Sequence, residues 1–306
     1  MPEIARGDGP SEAPGGLVSV GALVAELDAL LHAAAVPEAR REARDIVAAV
    51  LDMPRFWPSA HPEESLGEDV SAVARQAASK RASGAPFAYA VGRAAFRHLT
   101  LDVDERVLVP RQETEVLVES VLDWATATGA DAGGIAVDIG TGSGAIALSL
   151  ASEGKFDRVI ATDVCLGALA VARTNAERLQ AALRAPVEFR HGSLLAPVRG
   201  VRARVIVSNP PYIACGEAMT LPSSVRDWEP PIALFSGEDG MRATRHIIHG
   251  AGDVLELGGL LAIEVDARRA ALAAEVALAD GRYGAVRVEL DLSGRERILL
   301  ATRKDQ

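Results

Sequence analysis

Strand-like and helix-like segments alternate regularly along the C-terminal two thirds of the chain, and this alternation constrains the fold more than any other feature. Short apolar runs rich in β-branched residues, such as 134–139, 158–163 and 205–208, are separated by longer segments with helical spacing. This pattern predicts an α/β protein with a mostly parallel sheet covered on both faces. The strand-like segments 285–292 and 297–302 follow one another directly, so we expect an antiparallel pair at the sheet edge.

The N-terminal part of the chain has a different pattern. Residues 1–17 are rich in Gly, Pro, Glu and Ser, which predicts a flexible tail. Residues 18–85 contain three segments with helical spacing and should form a small helical domain: Val20 to Ala35, Pro37 to Leu51 and Glu68 to Ser83. Residues 86–110 hold aromatic and alternating apolar residues typical of a β-hairpin, here one that links two domains. Residues 111–306 would then form the larger domain.

Composition and charge exclude several classes of protein. The chain has 306 residues, 49% of them hydrophobic, yet no apolar run approaches the roughly 20 residues of a membrane span, so we expect a cytoplasmic protein without a membrane partner. The net charge of −10 would repel a phosphate backbone, so no direct nucleic-acid partner is expected. Cys165 and Cys215 lack metal-site spacing, and the pair His246 and His249 has no third ligand nearby. We therefore expect no metal. A monomer is a separate expectation.

A glycine-rich turn stands between the first strand and the first helix of the alternating part. Its candidate cofactor-binding residues are Asp138, Ile139, Gly140, Thr141, Gly142 and Gly144. In a doubly wound sheet a nucleotide-type ligand binds at such a turn, where glycines let the backbone approach it closely. The third glycine follows Gly142 by two positions rather than three, and no Lys-Ser/Thr phosphate loop is present, which disfavours NAD and ATP.

Acidic residues at two strand ends extend this prediction. Asp138 would suit a cationic, amine-bearing part of a cofactor, directly or through water. Asp163 ends the next strand, 163 − 142 = 21 residues after the second glycine, where an acidic side chain can accept hydrogen bonds from both ribose hydroxyls. A glycine-rich turn alone is also compatible with a tight turn in an α/β domain that binds no cofactor.

The segment Ser208-Asn209-Pro210-Pro211-Tyr212 directly follows the fourth strand and should lie at the same sheet edge as the glycine turn. Transfer of a methyl group from a sulfonium to a planar nitrogen demands accurate positioning, which a rigid Pro-Pro turn can supply. The Asn209 carboxamide oxygen and the Pro210 carbonyl can accept the two N–H bonds of a planar NH₂ group, and Tyr212 can pack against it. We therefore predict Asn209, Pro210 and Tyr212 as catalytic residues, with Pro211 completing the substrate site.

Over about residues 18–303 the chain resembles the HemK/PrmC family of protein-(glutamine-N5) methyltransferases. Besides the two turns, the matching segments are Pro86-Phe87-Ala88-Tyr89, Val107 to Glu115, Trp228-Glu229-Pro230 with Ala233-Leu234, Gly237 to Gly240, and Gly294-Arg295-Glu296-Arg297. The resemblance implies a seven-stranded, Rossmann-like class I domain that uses S-adenosyl-L-methionine and forms S-adenosyl-L-homocysteine. It also implies that the acceptor is the Gly-Gly-Gln glutamine of class-1 peptide chain release factors, docked by the helical domain, and that residues 213–241 border the active site.

Four positions depart from the family pattern: Ala88, Gln112, Ser193 and Asp266. The resemblance places Ser193 and Leu194 at the adenine, where Ser193 stands for an Asp and would accept a hydrogen bond more weakly. These departures leave other acceptors open, either another protein or a small amide or amine. Two further alternatives are a nucleic-acid adenine N6 methyltransferase, which the acidic charge disfavours, and a non-catalytic binding module, which would have no use for the Asn-Pro-Pro-Tyr geometry.

Overall fold

The computed structural model describes residues 16–128 and 133–304, which form two compact units divided between Val91 and Gly92. Most of the segment predicted as a flexible tail, residues 1–15, lies outside the described residues. Within the described residues, no helix is both long enough and apolar enough to cross a bilayer.

The first unit is mainly helical. In chain order it contains β1 (Val18–Ser19), α1 (Val20–Ala33), α2 (Ala39–Val50), α3 (Trp57–Ala60), β2 (Ser65–Leu66), α4 (Glu68–Ala82) and α5 (Phe87–Val91). The side chains of Leu23, Leu27 and Leu31 recur at helical spacing along α1 and are buried in one core with Ile46 of α2 and Ala74 of α4. Full burial of such a leucine contributes about 1.5–3 kcal/mol. The apolar stripe of α1 therefore organises this unit.

The second unit is built on a seven-stranded sheet and a separate hairpin. The hairpin is formed by β3 (Arg93–Phe96) and β4 (Leu99–Asp102), and the sheet by β5 (Ile135–Ile139), β6 (Arg158–Asp163), β7 (Val187–His191), β8 (Ala203–Ser208), β9 (Leu255–Glu264), β10 (Tyr283–Leu290) and β11 (Glu296–Arg303). The strand order is β10-β11-β9-β8-β5-β6-β7. Strands β5 to β9 pair in parallel, whereas β11 runs antiparallel to both β9 and β10. The antiparallel edge pair is as predicted.

Helices surround this sheet. They are α6 (Gln112–Ala127), α7 (Ala145–Glu153), α8 (Leu166–Arg178), α9 (Ser223–Arg226), α10 (Pro231–Leu234), α11 (Arg242–Val254) and α12 (Ala270–Asp280). The two shortest, α9 and α10, lie in the long segment after β8, which also contains a 3₁₀ helix over Cys215–Thr220. That segment is thus more structured than a plain loop.

The strand order reverses at β5, and this reversal positions the site. The chain proceeds from β5 through β6 to β7 on one side of the sheet, and later passes to β8 and β9 on the other side. In open α/β sheets, ligands bind outside the carboxyl ends of the strands at such a point. Ile139, the last residue of β5, is paired with Ser208, the last residue of β8. The glycine turn and the Asn-Pro-Pro-Tyr turn therefore begin side by side.

Two segments differ from the local pattern of the sequence. The strands of the hairpin occupy only Arg93 to Asp102 of the predicted segment 86–110, because Phe87–Val91 is helical. Phe87 packs against the core of the first unit, and this packing outweighs the strand propensity of the aromatic residues. The helix predicted over Cys165 to Leu183 ends at Arg178 and is followed by a short 3₁₀ turn.

Candidate active site

A cavity of about 500 Å³ opens within the second unit at the carboxyl ends of β5 and β8. Its size suits a small-molecule cofactor. Ten of the site residues predicted from the sequence line it: Ile139, Gly140, Thr141, Gly142, Asp163, Ser193, Leu194, Asn209, Pro210 and Pro211. Three other predicted residues, Asp138, Gly144 and Tyr212, do not belong to the lining that the described residues form.

The three glycines of the turn after β5 all adopt positive φ angles, but the space around them differs. Gly140 and Gly142 adopt positive φ angles of 76° and 56°, and a Cβ atom on either would point into open space. Their backbone conformation, which L residues rarely adopt, carries the chain along the cavity wall without side chains that would fill the cavity. At Gly144, a Cβ atom would approach Leu148 of α7 to 3.1 Å. Gly144 shares the positive φ angle, at 86°, and in addition serves the close packing of α7 rather than the cavity surface.

Asp138 is fully buried beneath this turn. Its Oδ2 accepts hydrogen bonds from the Thr141 hydroxyl at 2.6 Å and from the Ala147 backbone N–H at 3.1 Å, whereas its Oδ1 has no hydrogen-bond partner among the described residues. Burial raises the pKa of Asp138 to about 7, although these two hydrogen bonds oppose the shift. A buried carboxylate with one unpartnered oxygen fits a cationic group nearby. Because Asp138 is not part of the wall, it would act mainly through the turn or through a water molecule.

Asp163 joins the glycine turn to the beginning of α8. Its Oδ2 accepts from the Gly142 N–H at 3.0 Å and its Oδ1 from the Cys165 N–H at 2.8 Å. Each carboxylate oxygen keeps a further lone pair, and the side chain is partly exposed at the cavity wall. The arrangement leaves Asp163 able to accept hydrogen bonds from a pair of ribose hydroxyls.

Ser193 and Leu194 form the wall beyond the end of β7. Leu194 has a φ angle of 49°, a left-handed conformation that is uncommon for residues other than glycine. Such strain is usually retained where the surrounding structure requires a specific backbone path. Here the path brings Ser193 and Leu194 to the cavity while Leu194 also contacts the apolar core of the sheet.

Asn209 is held by a chain of hydrogen bonds from two distant elements. Its Nδ2 donates to the Thr114 hydroxyl at 2.9 Å, and that hydroxyl donates to Oε2 of Glu264 at 2.6 Å. Thr114 lies on α6 and Glu264 ends β9. The Ser208 hydroxyl donates to the Ile139 carbonyl at 2.7 Å and so fastens the two turns together. Asn209 therefore presents a held carboxamide at the cavity wall.

Tyr212 lies next to Glu264 rather than in the wall. Its hydroxyl donates to Glu264 Oε1 at 3.4 Å, and the Arg297 guanidinium lies 5.9 Å from the ring centroid. Burial raises the pKa of the Tyr212 hydroxyl, and the neighbouring Glu264 charge acts in the same direction, so the phenol stays protonated. Its predicted packing against the acceptor group stays a prediction.

Arg111 and Glu229 connect the segment before α6 to the segment after β8. Arg111 Nη2 lies 2.6 Å and 2.7 Å from the two carboxylate oxygens of Glu229. The Glu229 side chain is 1% exposed and that of Arg111 is 32% exposed. Burial raises the pKa of Glu229, while the Arg111 charge opposes that shift. Arg111 also lines the cavity, so this ion pair shapes its rim.

Several of these residues were not predicted as site residues from the sequence. Thr114 lies in the family-like segment Val107 to Glu115, but its partners are remote in sequence. Glu264 carried a recognisable signal, because it ends an apolar strand as Asp163 does. Cys165 and His246, for which the sequence suggested no cofactor role, also line the cavity. Within residues 16–128 and 133–304, no group of three or more His, Cys, Asp or Glu side chains is placed to hold a metal ion.

Three features together define a class I methyltransferase, which uses S-adenosylmethionine as methyl donor. They are the parallel sheet with an antiparallel edge pair, the glycine turn after β5 and the acidic residue that ends β6. Family models described as the methyltransferase small domain and the PrmC N-terminal domain match residues 96–221 and 22–92. The chain belongs to the family of release factor glutamine methyltransferases. This assignment rests on relatives that cover most of the chain.

Two such relatives illustrate the similarity. The release factor glutamine methyltransferase of Moorella thermoacetica is 40% identical over 276 residues, which cover 90% of this chain and 95% of the relative. That of Deinococcus radiodurans is 36% identical over 282 residues, or 92% and 97% of the two chains. Among solved structures, a methyltransferase from Pyrococcus furiosus has a TM-score of 0.50 at 20% identity over 67% of this chain and 90% of its own. The hMettl16 catalytic domain has a TM-score of 0.52 at 16% identity, covering 79% and 84%. These two structures support the fold alone.

Proposed function

We propose that the protein methylates the side-chain amide nitrogen of the Gly-Gly-Gln glutamine in class-1 peptide chain release factors, and that S-adenosyl-L-homocysteine is the product. The observation that carries this proposal is the held carboxamide of Asn209 at the wall of the cavity, directly beside the glycine turn. Two relatives, whose matches cover 90% and 92% of this chain, are named release factor glutamine methyltransferases. None of the departures at Ala88, Gln112, Ser193 and Asp266 is a partner in the hydrogen bonds that hold this carboxamide.

The residues around the cavity fit the cofactor. The predicted cofactor site comprises Asp138, Ile139, Gly140, Thr141, Gly142, Gly144, Asp163, Ser193, Leu194 and Asn209. The unpartnered buried oxygen of Asp138 suits a cationic group, and Asp163 has lone pairs available for hydroxyl groups. When bound, S-adenosylmethionine supplies an electrophilic methyl group on a positively charged sulfur.

Positioning of the acceptor is the main task of the turn after β8. The oxygen of the Asn209 carboxamide and the Pro210 carbonyl would accept the two N–H bonds of the glutamine amide, so that the nitrogen lone pair faces the methyl group. As the N–CH₃ bond forms and the S–CH₃ bond breaks, both oxygens stabilise the positive charge that develops on nitrogen. The alkylated amide is much more acidic than the neutral amide, so it releases its proton to water. No dedicated base is needed.

The organisation of the chain suits a protein substrate. All cavity-lining residues lie between Phe96 and Ile247, within the second unit. We assign residues 18–85 to docking of the release factor and residues 111–306 to catalysis. Residues 86–110 link the two, and within them Phe96, Arg106 to Leu108 and Pro110 also contribute to the cavity wall. We further propose that the protein is a cytoplasmic monomer and has no direct nucleic-acid partner.

The test is transfer of radiolabelled methyl from S-adenosylmethionine to purified class-1 release factor, with a release factor whose Gly-Gly-Gln glutamine is replaced as the control. Label on the unmodified factor alone is expected. Asn209→Ala should lower turnover by about 100-fold or more, because a preorganised polar contact at the reacting centre is lost. Asn209 also belongs to the predicted cofactor site, so cofactor affinity, measured by calorimetry, should fall as well, but by far less than turnover. Absence of label despite normal cofactor binding would contradict the proposed acceptor and direct attention to another protein or a small amide.

A further inference from the structure

Asn209 is the end of a chain of three side chains that come from different parts of the second unit. Glu264 ends β9, Thr114 lies on the first turn of α6, and Asn209 follows β8. The hydrogen bonds are 2.6 Å between Thr114 Oγ1 and Glu264 Oε2, and 2.9 Å between Asn209 Nδ2 and Thr114 Oγ1. Thr114 and Glu264 are only 4% and 1% exposed. Water therefore has little access to compete for these bonds.

The number of protons in this chain determines how the Asn209 amide is oriented. An ionised carboxylate has no proton and can only accept, so the single hydroxyl proton of Thr114 must point to Glu264. The Thr114 oxygen can then only accept from Asn209, which places the NH₂ end of the amide against Thr114. The carboxamide oxygen is thereby turned away from Thr114 and is left available to an acceptor's N–H group.

We propose that Glu264 is a positioning residue: acting through Thr114, its carboxylate fixes the Asn209 amide in the orientation that accepts the substrate N–H, so that turnover requires ionised Glu264. This inference rests on the proposed function, because it concerns the same acceptor group. Glu264 itself does not touch the reacting atoms. A protonated Glu264 would donate to Thr114 and free the Thr114 proton for the Asn209 oxygen. The NH₂ end of Asn209 would then face the NH₂ group of the substrate. Both groups are donors, so no hydrogen bond could form between them.

Polar, charged and titratable groups approach Glu264 from several elements. Helix α6 contributes the Glu113 carboxylate and the Thr114 hydroxyl, the turn after β8 contributes the Tyr212 phenol, and β11 contributes the Arg297 guanidinium. Helix α11 also packs on β9. Its titratable groups interact elsewhere: Arg245 with Asp239, His249 with Asp280 and Asp253 with Arg282, while Arg242 and His246 line the cavity.

These neighbours set the range in which Glu264 titrates. Burial raises the pKa of Glu264 to about 7, and the charge of Glu113 acts in the same direction. The hydrogen bond from Thr114, the charge of Arg297 and the Tyr212 hydroxyl oppose this shift. The ionisation of Glu264 therefore changes between pH 6 and pH 8, where enzyme kinetics can be measured.

The experiment is a pH profile of kcat between pH 5.5 and 8.5 with class-1 release factor as acceptor. For the unmodified enzyme, we expect kcat to rise through an apparent pKa near 7 and then level off. Glu264→Gln should lower the plateau by about 10-fold or more and remove the pH dependence, because a glutamine can present either a donor or an acceptor to Thr114. Its affinity for S-adenosylmethionine, measured by calorimetry, should stay within about twofold.

Variants of Thr114 test the connection between Glu264 and Asn209. Thr114→Val removes the hydroxyl at nearly constant volume and should lower kcat as much as Glu264→Gln does. Thr114→Ser keeps the hydroxyl and should restore kcat to within about threefold. The double variant Thr114→Val with Glu264→Gln should be no slower than either single variant, since both interrupt one chain.

Glu113 offers a matched electrostatic control, because it is exposed at the start of α6 and influences Glu264 by its charge. Glu113→Gln should keep the plateau of kcat and shift the apparent pKa to lower pH. An unchanged profile in Glu264→Gln, or full kcat in Thr114→Val, would overturn the inference while a slow Asn209→Ala enzyme still supported the proposed function. Normal turnover in Asn209→Ala would overturn both.

Discussion

Asp163 combines two tasks in one side chain. Its oxygens hold the backbone of Gly142 and Cys165, and they also face the cavity where hydroxyl groups of the cofactor are expected. The same carboxylate thus shapes the turn and offers the acceptors that the proposed ligand needs. Asp157 holds a backbone N–H group but does not face the cavity. Its Oδ2 accepts from the Gly134 N–H at 2.8 Å, at the other end of the strands. Asp157 is not part of the cavity wall that the described residues form.

We predict that Asp163→Ala weakens S-adenosylmethionine binding by about 10- to 100-fold, because hydrogen bonds to a charged group contribute about 1.5–3 kcal/mol. Isothermal calorimetry measures this directly. The control is Asp157→Ala, which loses a comparable backbone contact and should bind the cofactor normally. Equal loss of affinity in both variants would mean that Asp163 acts by general stabilisation of the second unit and not by contact with the cofactor.

At the scale of elements, the segment from Ile213 to Met241 is attached to the rest of the second unit at several points, among them an ion pair of Glu217 with Arg269 and a hydrogen bond from Arg269 to the Asp239 carbonyl. Ile213 and Phe235 form an isolated parallel bridge within it. The buried ion pair between Arg111 and Glu229 then fastens it to the segment before α6. Because Arg111 lines the cavity, the order of this segment and the shape of the site are connected.

Removal of Arg111 should lower the free energy of unfolding more than removal of Glu229. Arg111→Met leaves the carboxylate of Glu229 buried and unpaired, which costs about 3–5 kcal/mol. Glu229→Gln leaves Arg111, whose side chain is 32% exposed and can be solvated, so we expect a smaller loss. Urea unfolding at pH 8 measures the difference. Arg268→Met is the control: Arg268 pairs with Glu217 and Asp266, but its side chain is 65% exposed, so each pair should contribute about 0–1 kcal/mol.

The two buried-pair variants should also differ in pH dependence. Arg111 lowers the pKa of Glu229, so its removal lets that pKa rise further above the ordinary value. Proton uptake then relieves the buried charge, and the deficit of Arg111→Met should shrink as the pH is lowered from 8 to 6. A deficit that is constant over this range, or larger in Glu229→Gln, would contradict the assignment of Glu229 as the buried charge.

At the scale of the whole molecule, the site is maintained at the expense of stability. Burial raises the pKa of both Asp138 and Glu264 to about 7 in the folded protein, from ordinary values of 3.8 and 4.5. A carboxyl group with a raised pKa in the folded state stabilises that state most when protonated, and the contribution is lost as the pH rises from the ordinary value to the raised one. The two buried carboxyl groups therefore lower the free energy of unfolding at neutral pH.

The free energy of unfolding of the unliganded protein should fall between pH 5.5 and about 7 and change little above pH 7.5. The slope is at most about 1.4 kcal/mol per pH unit for each group. Urea unfolding followed by tryptophan fluorescence in a Trp57→Phe background reports on the second unit, where Trp124 is buried. Combining Asp138→Asn with Glu264→Gln should flatten the profile.

The groups with lowered pKa values do not interfere with this measurement. Hydrogen bonds from Arg282 and from Ser293 lower the pKa of Asp280 and Asp291 to about 2. Their stabilising contribution is present above the ordinary value of 3.8 and is lost only as the pH falls toward 2, outside the measured range. A stability that rises from pH 5.5 to 8 would therefore contradict a destabilising role for Asp138 and Glu264.

Local sequence was enough to place both turns at one sheet edge. Alternating strands and helices imply a parallel sheet, and parallel strands bring their carboxyl ends to one edge, so the glycine turn and Asn209 were expected at the same edge. That they are neighbours follows from the pairing of β5 with β8, which the structure shows. Asp163 was predictable for the same reason. These inferences depend on periodicity and on strand ends, and both are properties of short segments.

The support of the site depended on tertiary structure. Thr114 meets Glu264 across 150 positions and Asn209 across 95, and Arg111 meets Glu229 across 118. The helix at Phe87–Val91 and the burial of Tyr212 beside Glu264 likewise follow from packing partners far along the chain. Periodicity predicts which face of an element is buried, but it carries no information about which remote side chain arrives there or in which rotamer. The orientation of the Asn209 amide was therefore decided only when α6, β8 and β9 packed together.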